Sequence, residues 1–216
     1  NDVVVDKYDE VLWRLRALSG LRQTLGKRIV SIGGSAGWGA GGQKAPQISK
    51  ELWKLDLVEY PYEELEPRIK AAFQNSALVK RSEIAAARYL KQSKTTLETT
   101  RPFVNNAFVL NEVFKDVMDE ARTDAMTINN CMRTIMGMSK TTACLPLSML
   151  NDEGYLAFCE SDFVVIPAGV LLHYISGLPV FLNDPTYPHD SVVTLAHCTA
   201  PRRLNGTVLK PLLART

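Results

Sequence analysis

Between Tyr8 and Phe73 the chain alternates helix-length amphipathic stretches with short apolar runs of strand length. Val11, Leu15, Leu18, Leu21 and Leu25 recur at steps of three and four, which predicts a helix with those side chains on one face, stopped by Gly26. Residues 28–32 then read as a short buried strand that runs into the glycine-rich stretch 33–42. A helix over 46–54, a strand over 57–60 and a helix over 62–73 follow. This alternation marks parallel βαβ units, in which crossover helices cover the faces of a sheet. The expected class is α/β, with Rossmann-like parallel-sheet domains covered by helices.

A further helix runs through Glu83, Ile84, Ala85 and Leu90, and the polar run 93–100 then interrupts the pattern. A boundary is expected there, giving a Rossmann-like N-terminal domain over 1–95 and a second α/β region over 96–216. In the second region Phe103, Ala107, Leu110, Phe114, Val117 and Ala121 keep the period of a buried helical stripe. A strand over 124–128 follows, then a Met-rich stretch, a helix over 145–150, a strand over 155–159 and a helix ending at Ser176 with Gly177 as its cap. Pro167 leaves the first turn of that helix open. Strands around 180–182 and 192–196 complete the reading.

A chain of 216 residues that is 46% hydrophobic can bury a substantial core. Its 25 Lys and Arg against 23 Asp and Glu leave a net charge of +2 with no basic block, so nucleic acid is not an expected partner. No apolar run approaches the roughly 20 residues that a membrane-spanning helix needs, and the first residues lack the pattern of a signal peptide. Cys131, Cys144, Cys159 and Cys198 form no CxxC pair, which suits reduced thiols in a cytoplasmic protein. The chain opens without Met and stops at Thr216, just after the strand-like run 207–213, so a piece of a longer protein is expected.

Two places invite a functional reading. Gly37, Gly39 and Gly42 have the GxGxxG spacing, and Glu59 lies near the end of the next strand, where an acidic residue holds a ribose in dinucleotide-binding folds. Against this, Gly37 comes several residues after Ile32, and residues 43–46 delay the helix that would receive the pyrophosphate. Flexible-loop glycines are the alternative, with Trp38 either lying over a sugar face or anchoring the loop.

The second place is where polar residues follow three strands: Asn129 and Asn130; Glu160, Ser161 and Asp162; His197 and Cys198. Open α/β sheets bind ligands outside the carboxyl ends of their strands. Mn²⁺ or Mg²⁺ favours carboxylate oxygens and tolerates imidazole, and Glu160, Asp162 and His197 are donors of that kind. The plainer alternatives are Ser161 or Asp162 as a helix cap, His197 as a satisfied buried histidine, 151–154 as a turn, and the cysteines as small core residues.

At these residues the chain resembles a known family. The run Ala143-Cys-Leu-Pro-Leu-Ser-Met-Leu-Asn-Asp-Glu-Gly154, then Cys159-Glu-Ser-Asp162, then Ser176-Gly-Leu-Pro179 and His197-Cys-Thr-Ala-Pro201, is similar to the C-terminal region of the L-fucose/L-arabinose isomerase family, in particular its divergent isomerase-related members. The resemblance implies a fucose isomerase-like fold and a Mn²⁺-dependent interconversion of an aldose and a ketose through an enediol. It puts Glu160 and Asp162 in the catalytic and metal-binding acidic pair, makes His197 the histidine ligand, and implies a homo-oligomer. Where the family carries a further carboxylate, this chain has Leu147 and Ser148, and Asp152 or Glu153 is the candidate substitute, with Glu153 taken as the third catalytic position. Two rivals stand beside this reading: an NAD(P)-dependent oxidoreductase using Gly37, Gly39, Gly42 and Glu59, and a sugar-binding relic of the isomerase fold without turnover.

Overall fold

The computed structural model describes residues 7–92, 95–185 and 187–204, and the backbone of 212–213. Helix α1 (Tyr8–Thr24) leads into strand β1 (Arg28–Ile32). Helix α2 (Ala45–Leu52), strand β2 (Asp56–Tyr60) and helices α3 (Tyr62–Gln74) and α4 (Ser76–Leu90) follow. The short strand β3 (Thr96–Leu97) precedes α5 (Arg101–Glu120), β4 (Ala125–Ile128), α6 (Cys131–Ser139), α7 (Cys144–Asp152) and β5 (Leu156–Cys159). Helix α8 (Ile166–Ser176) places Pro167 in its first turn, where a missing N–H costs nothing. The two-residue strands β6 (Asp184–Pro185), β7 (Leu195–Ala196) and β8 (Leu212–Leu213) are the last elements among the described residues.

One four-stranded parallel sheet, in the order β2-β1-β4-β5, organises the molecule. Every residue of β4 and β5 is buried, as strands covered on both faces must be, and both read as unbroken apolar or small runs. Alternate side chains feed two cores. Val30, Ile32, Met126, Ile128, Ala157 and Cys159 face α3, α5, α6 and α7, whereas Ile29, Ala125, Leu156 and Phe158 face α2 and α8. The expected stripe of α5 is the centre of the first layer: Ala107, Leu110, Phe114 and Val117 are all at most 1% exposed.

Two expectations need correction, and α1, which forms where periodicity puts it, packs by a face that periodicity does not mark. The sheet does not divide at residues 95/96, because β1 and β2 from the first segment and β4 and β5 from the second pair into one layer over a shared core. The leucines of α1 point outward: Leu15 is 56% and Leu18 64% exposed. The helix instead packs on α8 through Gly20 and Thr24. A side chain at position 20 would put its Cβ 2.7 Å from Ile175 Cγ1, so glycine sets how closely the two helices approach. The strands expected near 180–182 and 192–196 contribute only the β6–β7 antiparallel ladder, outside the main sheet. Of the strand-like run 207–213, residues 207–211 lie outside the described residues.

Candidate functional site

Register aligns Ile32 with Tyr60 and Ile128, and Ile128 with Cys159, so the carboxyl ends of all four sheet strands share one rim. From β1 the chain crosses to α2 on one face, and from β4 to α6 and α7 on the other. The crevice between β1 and β4 is therefore the point at which such sheets open a ligand site. Tyr62 spans it, its Oη donating to Asn129 O, and burial pushes the phenol well above its ordinary range. Asn130, at the start of α6, takes a left-handed conformation.

The loop after β1 is laced to the loop after β5. Ala36 N donates to Ser161 O at 3.1 Å, and Phe163 N donates to Ala36 O at 3.0 Å. Glu160 and Ser161 are consecutive left-handed residues with φ 65° and 50°, a conformation that costs a non-glycine residue energy and needs the surrounding structure to hold it. What holds it includes Ser161 N donating to Thr127 Oγ1 at 3.1 Å. The Ser161 hydroxyl is buried and has no hydrogen-bond partner among the described residues.

This kink sends successive side chains to different destinations. Glu160, whose side chain is 35% exposed, brings Oε1 to 3.6 Å from Nε2 of His197, whose side chain is 5% exposed. Cys159 Sγ completes a group in which one donor atom from each residue lies within 4.8 Å of the others. Asp162 goes elsewhere. Its Oδ1 accepts from Trp38 N at 3.0 Å and from Val164 N at 3.1 Å, an Asx turn that also anchors the β1 loop. Asp162 is thus not part of the Glu160–His197 group. Glu153 is further removed, since it precedes β5 and so sits at the opposite edge of the sheet, paired with Lys115 at 2.6 Å. Asp152 accepts from Arg202 N and Arg203 N, both at 2.9 Å.

His197 reaches the rim from a loop rather than from a sheet strand. Its Nδ1 lies 2.9 Å from Thr199 Oγ1. Thr199 N also donates toward this nitrogen at 3.4 Å. In the tautomer whose Nδ1–H donates to the hydroxyl, Nε2 keeps a lone pair toward Glu160, the arrangement by which an outer partner fixes a ligating imidazole. Two donors bound to one divalent ion at about 2.1 Å each stand about 3 to 4 Å apart, so the observed 3.6 Å suits a shared cation. Carboxylate and imidazole are donors that Mn²⁺ accepts, while a thiolate would favour a softer ion such as Zn²⁺. The Cys159 thiol is held far above its ordinary range by its hydrogen bond with Cys131 and by burial. As a neutral thiol it is a weak third donor.

All four cysteines gather around this point, which no local sequence signal announces. Cys131 and Cys159 bring their sulfurs to 3.7 Å, and Cys144 and Cys198 to 3.1 Å. Cys198 Sγ is also 3.8 Å from His197 Nδ1.

The glycine-rich loop has a structural account of its own. Gly37 and Gly42 meet backbone to backbone: a Cβ on Gly37 would lie 2.4 Å from Gly42 O. A 3-10 turn at Gly42–Lys44 separates the loop from α2. Both Glu59 oxygens are taken by Ser35, from N at 3.0 Å and from Oγ at 2.6 Å. Neither a family model nor a curated protein matches the chain.

Proposed function

We propose that this chain is the cation- and sugar-binding part of a metal-dependent aldose–ketose isomerase or isomerase-related protein. One observation carries the reading: a carboxylate and an imidazole from sequence-distant loops meet at 3.6 Å on the ligand-binding rim of an open parallel sheet. A divalent cation, Mn²⁺ in the first instance, would supply polarisation of a sugar carbonyl, which makes the neighbouring C–H acidic. Glu160 Oε1 and His197 Nε2 would hold that cation, with Thr199 Oγ1 orienting the imidazole. Tyr62 and the Asn129 backbone wall the adjacent crevice. Trp38, 63% exposed on the loop that Asp162 ties down, offers an aromatic face for a sugar ring. The homo-oligomer implied by the resemblance and the cytoplasmic setting drawn from the cysteine pattern belong to this proposal, and sedimentation velocity checks the first. Among the described residues no helix is long and apolar enough to cross a membrane.

A second reading, the sugar-binding relic, draws on the composition of the group itself. It contains one carboxylate, Glu160, whereas moving a proton between C1 and C2 while also holding a cation calls for more than one acid or base. Binding and turnover therefore need separate measurements. Titration with Mn²⁺, following free ion by electron paramagnetic resonance, should give saturable binding that weakens at least tenfold in Glu160→Gln and in His197→Asn. Ketose formation is then assayed over a panel of aldoses. Saturable Mn²⁺ binding without product selects the relic; no saturable binding by the unmodified protein at millimolar Mn²⁺ removes both readings.

A further inference from the structure

We propose that Cys144 and Cys198 are a redox modification site, closing to a reversible disulfide that fastens the His197 loop to the first turn of α7. The modifying reagents are small oxidants: a hydroperoxide, or a low-molecular-weight disulfide acting by exchange.

The geometry is that of a pair ready to join. Cys144 opens α7 and is buried, Cys198 is solvent-exposed and comes 54 residues later, and their sulfurs are 3.1 Å apart. A disulfide needs about 2.05 Å, so closure asks for about 1 Å of movement, within reach of a loop whose regular structure is the β6–β7 ladder. Exposure of Cys198 opens the Cys144–Cys198 sulfur contact to solvent and so to an oxidant, whereas Cys131 and Cys159 are both buried. Support comes from the acidity of Cys144, which the hydrogen bond with Cys198 brings down to about 7 against the opposing effect of burial. A helix N-terminus also favours thiolate at this position.

The steps balance. The Cys144 thiolate attacks the terminal oxygen of a hydroperoxide, breaking the O–O bond, giving a sulfenic acid and releasing an alkoxide that takes up a proton as the alcohol. Cys198 sulfur then attacks the sulfenic sulfur, forming the S–S bond and expelling water. Overall two thiols and one hydroperoxide yield one disulfide, one alcohol and one water, with two electrons passing from sulfur to oxygen. A thiol reductant reverses the bond by exchange.

The consequence follows from position. His197 immediately precedes Cys198, and the loop is otherwise attached to α7 by Ser148 Oγ donating to Ala200 O at 2.8 Å and by the contacts of Asp152 with Arg202 and Arg203. A covalent tie removes freedom from the segment carrying the imidazole, and preorganised ligands bind more tightly. This regulatory effect, unlike the disulfide itself, rests on Glu160 and His197 holding a cation.

The experiment treats the reduced protein with one equivalent of hydrogen peroxide, counts thiols, maps disulfides by mass spectrometry and follows hydrogen exchange over 195–204. Two of four thiols should disappear, a 144–198 linkage should be recovered, and exchange over the loop should slow at least fivefold, all reversed by a thiol reductant. Cys198→Ser, a change at an exposed site, should give no 144–198 linkage and stop at a Cys144 sulfenic acid that a thiol reductant reverses. Mn²⁺ affinity should rise at least threefold on oxidation. Retention of all four thiols, a 131–159 linkage, or overoxidation of one cysteine overturns the modification site. A 144–198 linkage with unchanged or weaker Mn²⁺ binding overturns its regulatory role. If the reduced protein binds no Mn²⁺, the cation reading fails, while the mapped linkage and slowed exchange still uphold the modification site.

Discussion

Asp162 carries two backbone N–H groups on a single carboxylate oxygen, Trp38 N and Val164 N, from a position 9% exposed. Truncation to Ala strands both donors at the junction of two loops, which costs about 1–3 kcal/mol. Asn keeps an acceptor oxygen in place. Asp162→Ala is therefore expected to lower the free energy of unfolding by about 2 kcal/mol and Asp162→Asn by less than half as much, in urea denaturation. Mn²⁺ affinity should stay within twofold in both variants. Loss of cation binding in Asp162→Asn, with stability retained, would instead make Asp162 a ligand through its second oxygen. At this scale the sequence goes far and then stops. Glu160 and His197 are legible because a strand-end acid and a late histidine are unusual things to place beside apolar runs. The turn of backbone between Glu160 and Ser161, which sends Asp162 away from its neighbour, is a left-handed pair that no residue type there requires. The thiol pairs are equally silent, since Cys144 and Cys198 meet only through the path of a long loop.

Lys27 shows how one side chain joins elements. It lies between α1 and β1, forms an ion pair with Asp124 at the entrance to β4, and donates to Tyr174 Oη on α8 at 2.6 Å. Burial pulls its ammonium down, but Asp124 and Tyr174 together outweigh burial and the folded-state pKa ends above the ordinary 10.5. A cation whose pKa is raised on folding stabilises the fold in full below the unfolded value and loses that contribution as pH rises through the folded value. The gap in melting temperature between the unmodified protein and Lys27→Met is thus expected to hold steady from pH 7 to pH 9. It should narrow above 10.5, the ordinary value from which Lys27 is raised. A gap independent of pH up to 11.5 would show that shape rather than charge is at work. Elements themselves are largely legible: β1, β2, α3, α5 and β5 fall within a residue or two of where periodicity puts them. What periodicity cannot supply is the surface that a stripe meets. In α1 it finds an amphipathic helix, yet the face that packs on α8 is the one carrying Gly20 and Thr24, because closeness of backbones decides the contact.

For the whole molecule, the decisive fact is that β1 pairs with β4 across nearly a hundred residues of chain. Such pairing is non-local, so a polar stretch at 93–100 reads as a boundary although the sheet continues through it. Phe114 and Leu110 on α5 are fully buried against Val30 and Ile32 from the first segment as well as Met126 and Ile128 from the second, so neither segment has a complete core alone. One cooperative unfolding transition is the expected result. The tryptophans make this testable without fragments: Trp13, Trp38 and Trp53 all lie in the first segment, so fluorescence reports on that part, while far-ultraviolet circular dichroism also sees α5 to α8. The two signals should give coincident urea midpoints, and Phe114→Ala, which removes a side chain from the shared core at a cost of about 3–5 kcal/mol, should move both midpoints together. A shift of the dichroism midpoint with the fluorescence midpoint left in place would mean that 1–95 folds on its own, and that the single sheet is two units in contact rather than one.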